Sequence, residues 1–174
     1  MKKWLTLIGA FVVVMIALFM FLKYQKQIEL GIVQAPNAIL HTFSEPVNEI
    51  DEEVQKVAVE LKEKLQKLDR KWSLFGLGLA APQIGYSTRI IGIKRSYGDY
   101  QIMINPEVVE QKWSVPFVST CFSLKGLHVL RRNLWMKVRY TDIKNNGHEE
   151  IFRWGRATVL QQEIDHINGV LVSD

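Results

Sequence analysis

The sequence predicts an α+β domain with a mainly antiparallel sheet, preceded by a separate apolar N-terminal helix. Three observations carry that prediction. An amphipathic helical period follows the N-terminal region, short β-rich runs divided by turns fill the middle, and helical spacing returns at the end. With 174 residues the chain is one domain, or one domain with an appendage. Its 23% charged and 48% hydrophobic residues are a globular composition, neither disordered nor collagenous. The net charge of +4 is too small an excess to indicate a nucleic-acid partner. Cys121 is the single cysteine, so no intrachain disulfide can form, and the thiol is a metal ligand, a nucleophile or core filler.

Residues 1–22 are expected to form a transmembrane anchor. Trp4 to Leu22 contains no charged residue. Its nineteen residues at ~1.5 Å rise cover about 28 Å, near the ~30 Å hydrocarbon thickness. Lys2, Lys3, Lys23 and Lys26 flank it, and Trp4 and Tyr24 stand where interfacial aromatics belong. A cleavable signal would be shorter and followed by a small-x-small site, whereas Phe19-Met20-Phe21-Leu22 runs directly into Lys23. The location expected is therefore a single-pass membrane protein. Positive charges on both sides leave the side occupied by the domain open, with a slight excess favouring an N-in orientation.

From 23 to 45 the chain has no sustained period, and Pro36 and Pro46 discourage a helix, so this reads as a tether that partly packs on the domain. The domain is expected at 46–174. Val47, Ile50, Val54, Val57, Leu61, Leu65 and Leu68 recur at three- and four-residue steps along one helical face. Asp51, Glu52 and Glu53 lie early and Lys64, Lys67, Arg70 and Lys71 late, which complements the helix dipole. Strands are expected at 89–94, 100–105, 127–131 and 134–141, with a hairpin turn at Asn145-Asn146-Gly147 and a returning strand at 149–154. A last helix spans about 155–169.

Three segments can carry chemistry. In the last helix, Gln162 and His166 are four apart and share a face on which two side chains could hold one ion, with Glu163 beside them. Alone, Glu-x-x-His has little specificity and reads first as a solvated helix face. Gly76-Leu77-Gly78-Leu79-Ala80-Ala81-Pro82-Gln83 is a small-residue loop that allows close backbone approach, and Gln83 is its one strongly hydrogen-bonding side chain. Ser119-Thr120-Cys121-Phe122-Ser123 could expose a thiolate, or simply bury a cysteine.

In this order and at these intervals the three segments resemble the peptide deformylase family, whose pattern is Gly-x-Gly-x-Ala-Ala-x-Gln, then Glu-Gly-Cys-x-Ser, then Gln-His-Glu-x-Asp-His. The resemblance runs from about Val33 to Asp174. It implies a sheet built around a C-terminal metal-site helix, and a hydrolase that removes formyl from N-formylmethionyl peptides or nascent chains. It also implies one divalent metal, Fe²⁺ or else Zn²⁺ or Ni²⁺, held by a cysteine and two histidines. Cys121 and His166 match two of those ligands, and Gln162 stands at the third. Glu163 matches the general acid/base. Gln83 and the backbone N–H of Phe122 match the donors to the formyl oxygen. Gly76 and Gly78 belong to the substrate-binding loop, and Arg132, or its neighbour Arg131, is similar in place to an arginine by the peptide cleft.

The departures are Gln162 for histidine, and Ser119 and Thr120 for glutamate and glycine. A neutral amide oxygen is a much poorer donor to a transition metal than imidazole nitrogen. The resemblance thus implies a deformylase with weakened metal binding, and its alternative is an inactive, deformylase-like peptide-binding or interaction module.

Overall fold

A computed structural model describes residues 27–69, 76–96 and 98–174, together with Met15 and Gln25. The expected membrane span falls outside these residues apart from Met15. Among the described residues no helix is long and apolar enough to cross a membrane.

Five antiparallel strands form one meander in sequence order: β1 (Gly78–Ala80), β2 (Ile90–Ser96), β3 (Asp99–Ser119), β4 (His128–Thr141) and β5 (Gly147–Arg153). Two helices cover its opposite faces. α1 (Glu52–Leu68) is capped by Asp51, whose carboxylate accepts the Val54 N–H at 2.9 Å, and α2 (Gly155–Ile167) follows β5 directly.

Period-2 alternation divides the apolar residues between two cores. Leu77 and Leu79, Ile90, and Ile102 and Ile104 face α1, where they meet Val57, Leu61 and Leu65. Ala80, Ile91, Ile93, Met103, Met136 and Phe152 face the other way, onto Leu160, Ile164 and Ile167 of α2. Gly92 is where α1 comes closest, since a Cβ there would lie 2.6 Å from Leu65 Cδ1. The sheet is thus buried on both faces where β1, β2 and the start of β3 lie, which explains the nearly continuous apolar run Ile90-Ile91-Gly92-Ile93.

Several expected boundaries change. The helix expected to include Val47 and Ile50 begins only at Glu52, because Asp51 takes the capping position. Val47 is instead pinned to β3, its N–H and carbonyl both bonded by the Asn105 side-chain amide at 2.9 and 2.7 Å. The strand expected to end at residue 105 continues to Ser119. Asn105, with φ 50°, starts a bulge, and the register shifts between Ile104 and Glu107 and again between Val108 and Glu110. The two strands expected at 127–131 and 134–141 are one strand, β4.

The described part of the expected tether is built into the domain. Ile32 and Leu40 are buried, residues 38–41 form a 3-10 turn capped by Asn37, and Glu45 bridges Thr88 in parallel. The segment has no period because its contacts are individual, which hides it from pattern reading.

Candidate active site

The Gly-rich segment is a short strand rather than only a turn. β1 passes directly into a 3-10 turn, Ala81–Ile84, which ends at Gly85 in the left-handed region, φ 92°. This turn buries Gln83 and sets its amide. The Ala80 N–H donates to Gln83 Oε1 at 2.9 Å, and since an amide N–H can only donate, the NH₂ end must point the other way. It lies 3.2 Å from Ser123 Oγ and 3.7 Å from Cys121 Sγ. Gln83 is therefore held as a donor aimed at the thiol.

Cys121 stands two residues after the end of β3, and its sulfur also accepts the Ser123 N–H at 3.3 Å. α2 brings His166 to it, with Nε2 3.3 Å from Sγ. Glu163, one helical turn earlier on the same side of α2, is buried against β1. A Cβ on Gly78 would lie 2.6 Å from Glu163 Cγ and Oε1. Four expected residues from three separate segments thus converge: Gln83, Cys121, Glu163 and His166.

Burial governs their protonation. It pushes the Cys121 thiol up to about 12, the nearby Glu163 carboxylate adding to the rise against the Ser123 N–H. It lifts Glu163 to about 8, opposed by the positive charge of Arg132. It lowers His166 to about 4, Arg132 acting in the same direction. Near neutral pH the imidazole is uncharged, the state in which it binds metals.

These donors fit a divalent ion in part. With bonds of about 2.3 Å to sulfur and 2.0–2.1 Å to nitrogen, tetrahedral ligands stand about 3.5 Å apart, close to the 3.3 Å between Cys121 and His166. Glu163 Oε2 and His166 Nδ1 are buried without a hydrogen-bond partner among the described residues. Gln162 is the weak member. It sits at the edge of the site, its Nε2 directed to the Thr120 carbonyl at 3.3 Å. No group of three or more His, Cys, Asp or Glu side chains gathers among the described residues.

Arg132, expected beside the peptide cleft, is buried and internal. Its Nη1 lies 2.5 Å from Asp165 Oδ2. Register explains this: Arg132 opposes Val115 on the α2 side of the sheet, whereas Arg131 lies on the opposite, solvent face and bonds Ser114. Gly76, with φ 102°, packs where a Cβ would lie 2.9 Å from Val159 of α2. The Phe122 carbonyl accepts the Gln34 side-chain amide at 3.0 Å, and the Ser123 carbonyl accepts the Ala35 N–H at 2.9 Å.

Sequence reading left Ser123, Gln34 and Asp165 without roles. Ser123 and Asp165 stand inside quoted motifs, so a signal existed for them. Gln34 has none, because it reaches the site from a segment without periodicity.

An oriented amide, a buried carboxyl and a Cys–His pair, gathered under one edge of an antiparallel sheet, define an α+β hydrolase. A family model for polypeptide deformylase matches residues 29–174. The peptide deformylase of Desulfotalea psychrophila is 32% identical over 151 residues, covering 83% of this chain and 86% of that one. That of Syntrophomonas wolfei is 35% identical over 146 residues, covering 82% and 90%. The crystal structure of peptide deformylase from Thermotoga maritima superposes with a TM-score of 0.73 at 30% identity, covering 82% of this chain and 94% of that one. The chain belongs to the peptide deformylase family.

Proposed function

We propose that this chain removes the formyl group from N-formylmethionyl peptides, using a divalent metal held firmly by Cys121 and His166 and weakly by Gln162. We further propose that the apolar segment Trp4–Leu22 anchors it in a membrane. The observation that supports the first reading best is the 3.3 Å approach of Cys121 Sγ to His166 Nε2 beside the oriented amide of Gln83.

Held by Cys121, His166 and Gln162, a divalent ion would supply Lewis acidity, and Cys121, a thiol that burial otherwise keeps neutral, would hold it after giving up its proton. The chain's own residues do the rest. Gln83 Nε2 and the Phe122 N–H donate to the formyl oxygen as it gains negative charge. Glu163, its carboxyl lifted toward 8, takes a proton from the water that attacks the formyl carbon and delivers it to the amine as the C–N bond breaks, leaving formate. Glu163 is itself buried, with 3% of its surface exposed, which favours strong electrostatic contacts in the site.

A second reading is favoured by the Gln162 side chain donating to the Thr120 carbonyl: a deformylase-like module that binds N-terminal peptides without turning them over. One experiment separates the two. Full-length protein is prepared anaerobically, metal per chain is measured, and a formyl-Met peptide is assayed alongside Gln162→His and Glu163→Ala. The proposed reading expects histidine to raise occupancy and turnover together by at least about tenfold, the scale on which even outlying metal-site changes act. Glu163→Ala abolishes turnover. Wild-type protein that holds no metal with Fe²⁺ or Zn²⁺ in excess leaves the module reading.

A further inference from the structure

We propose that the end of the domain bearing the catalytic cysteine loop rests on the bilayer, with Val118, Leu127 and Val129 against lipid and nearby basic side chains toward anionic headgroups. This rests on the membrane anchor of the preceding section.

The covalent chain restricts how far the site can stand from the anchor. Five peptide steps separate Leu22, the last apolar residue, from Gln27. At ~3.3–3.6 Å per residue they span at most about 18 Å. Gln27 is itself buried, and its carbonyl accepts the Ile32 N–H at 3.0 Å, closing a helical turn against the domain. The next residues join the site: Val33 N–H bonds the Gln83 carbonyl at 2.8 Å, Gln34 bonds the Phe122 carbonyl and Ala35 the Ser123 carbonyl. The wall of the active site is therefore the first part of the domain to follow the membrane segment.

The surface there suits a lipid headgroup region. Val118 and Val129 oppose each other across β3 and β4 and are 57% and 73% exposed, and Leu127, four residues beyond Ser123, is 69% exposed. Residues 111–141 contain no aspartate or glutamate but include Lys112, Lys125, Arg131, Arg132, Lys137 and Arg139. Lys112, Arg132, Lys137 and Arg139 have acidic partners elsewhere in the domain. Near the tip, Lys125, His128 and Arg131 adjoin the three exposed aliphatic side chains. Exposed apolar side chains beside basic ones are the composition that binds anionic bilayers. The substrate so favoured is a formylated N-terminus lying at the membrane surface, as on a chain entering the bilayer.

The test uses the full chain in phosphatidylethanolamine–phosphatidylglycerol vesicles. Leu127→Cys, Val129→Cys and Ile143→Cys are each labelled with a fluorophore, Cys121 being buried. Ile143 lies at the β4–β5 turn, the opposite end of β4. Quenching is compared for a lipid-borne and an aqueous quencher, and turnover of a soluble formyl-Met peptide is recorded separately. The expected result is at least threefold stronger lipid-borne quenching at 127 and 129 than at 143, with no such difference in detergent. If one labelled variant fails to fold, the other position decides. Vesicle-bound protein quenched equally at all three positions overturns the docking face while keeping the anchor. Protein that does not float with the vesicles overturns both. Labels at 127 and 129 that stay water-exposed while raising KM for the soluble peptide overturn it as well, making the rim a peptide-binding wall. The quenching and flotation outcomes do not depend on turnover by the metal site.

Discussion

Gly78 of β1 and Glu163 of α2 are packed so closely that no side chain fits between them: a Cβ on Gly78 would lie 2.6 Å from Glu163 Cγ and Oε1 and 2.8 Å from Cδ. The second glycine of the Gly-rich segment thus serves the glutamate. Its absent side chain is the space in which the carboxyl sits.

Gly78→Ala is therefore expected to displace Glu163 while leaving the sheet intact. Overfilling such a site costs about 1–3 kcal/mol. Misplacing a catalytic group by about 1 Å can cost on the order of 10²-fold in rate. Gly98→Ala is the control. Gly98, in the β2–β3 turn, has φ 77° and nothing within 4 Å of its would-be Cβ, so it introduces backbone strain away from the site. Turnover of a formyl peptide, with urea unfolding measured in parallel, should fall steeply for the first variant and little for the second. Equal losses would mean that Gly78 serves the backbone only.

The Arg132–Asp165 pair should respond asymmetrically. Arg132 has 4% of its side chain exposed and Asp165 29%. Asp165→Asn leaves a guanidinium that cannot lose its charge, buried and uncompensated, and is expected to cost about 3–5 kcal/mol. Arg132→Met leaves a carboxylate that water can reach, so its cost should be clearly smaller. Denaturant unfolding of the two variants measures this directly, and the reverse order would place the pair's burial on the aspartate side.

Sequence pattern picked out the side chains that the structure gathers better than it traced the chain path. Gln83, Cys121, Glu163 and His166 were legible because each lies in a motif with fixed spacing, and α1 and α2 because their apolar residues keep a helical period. The continuation of β3 past Pro106 was not legible. A proline and a residue with positive φ read as a stop, yet here they form a bulge that bends the strand without ending it. Arg132 was misplaced for want of register, since one position along β4 decides between the solvent face of Arg131 and the buried face toward α2. Residues 27–45 were undervalued because single buried side chains such as Ile32 and Leu40 have no periodicity to report them.

The protonation states fix how the metal-free protein should respond to pH. Burial raises Glu163 from an unfolded value near ~4.3 to about 8, so its contribution to stability is present at low pH and lost as pH rises across that window. His166 is lowered from ~6.5 to about 4, so its contribution is gained as pH rises between those values. The two oppose each other between about 4.3 and 6.5, where stability should be nearly flat. Above ~6.5 only Glu163 is titrating and stability declines toward pH 8, by at most about 1.4 kcal/mol per pH unit for one proton. Cys121, raised to about 12, extends the decline above ~8.5. Metal binding must displace the thiol proton, so stabilisation by added Zn²⁺ should grow with pH over the same range. Thermal unfolding with chelator and with Zn²⁺ from pH 5 to 9 measures both trends. A Tm of the chelated protein that rises between pH 6.5 and 8 would mean that Glu163 is ionised in the folded state.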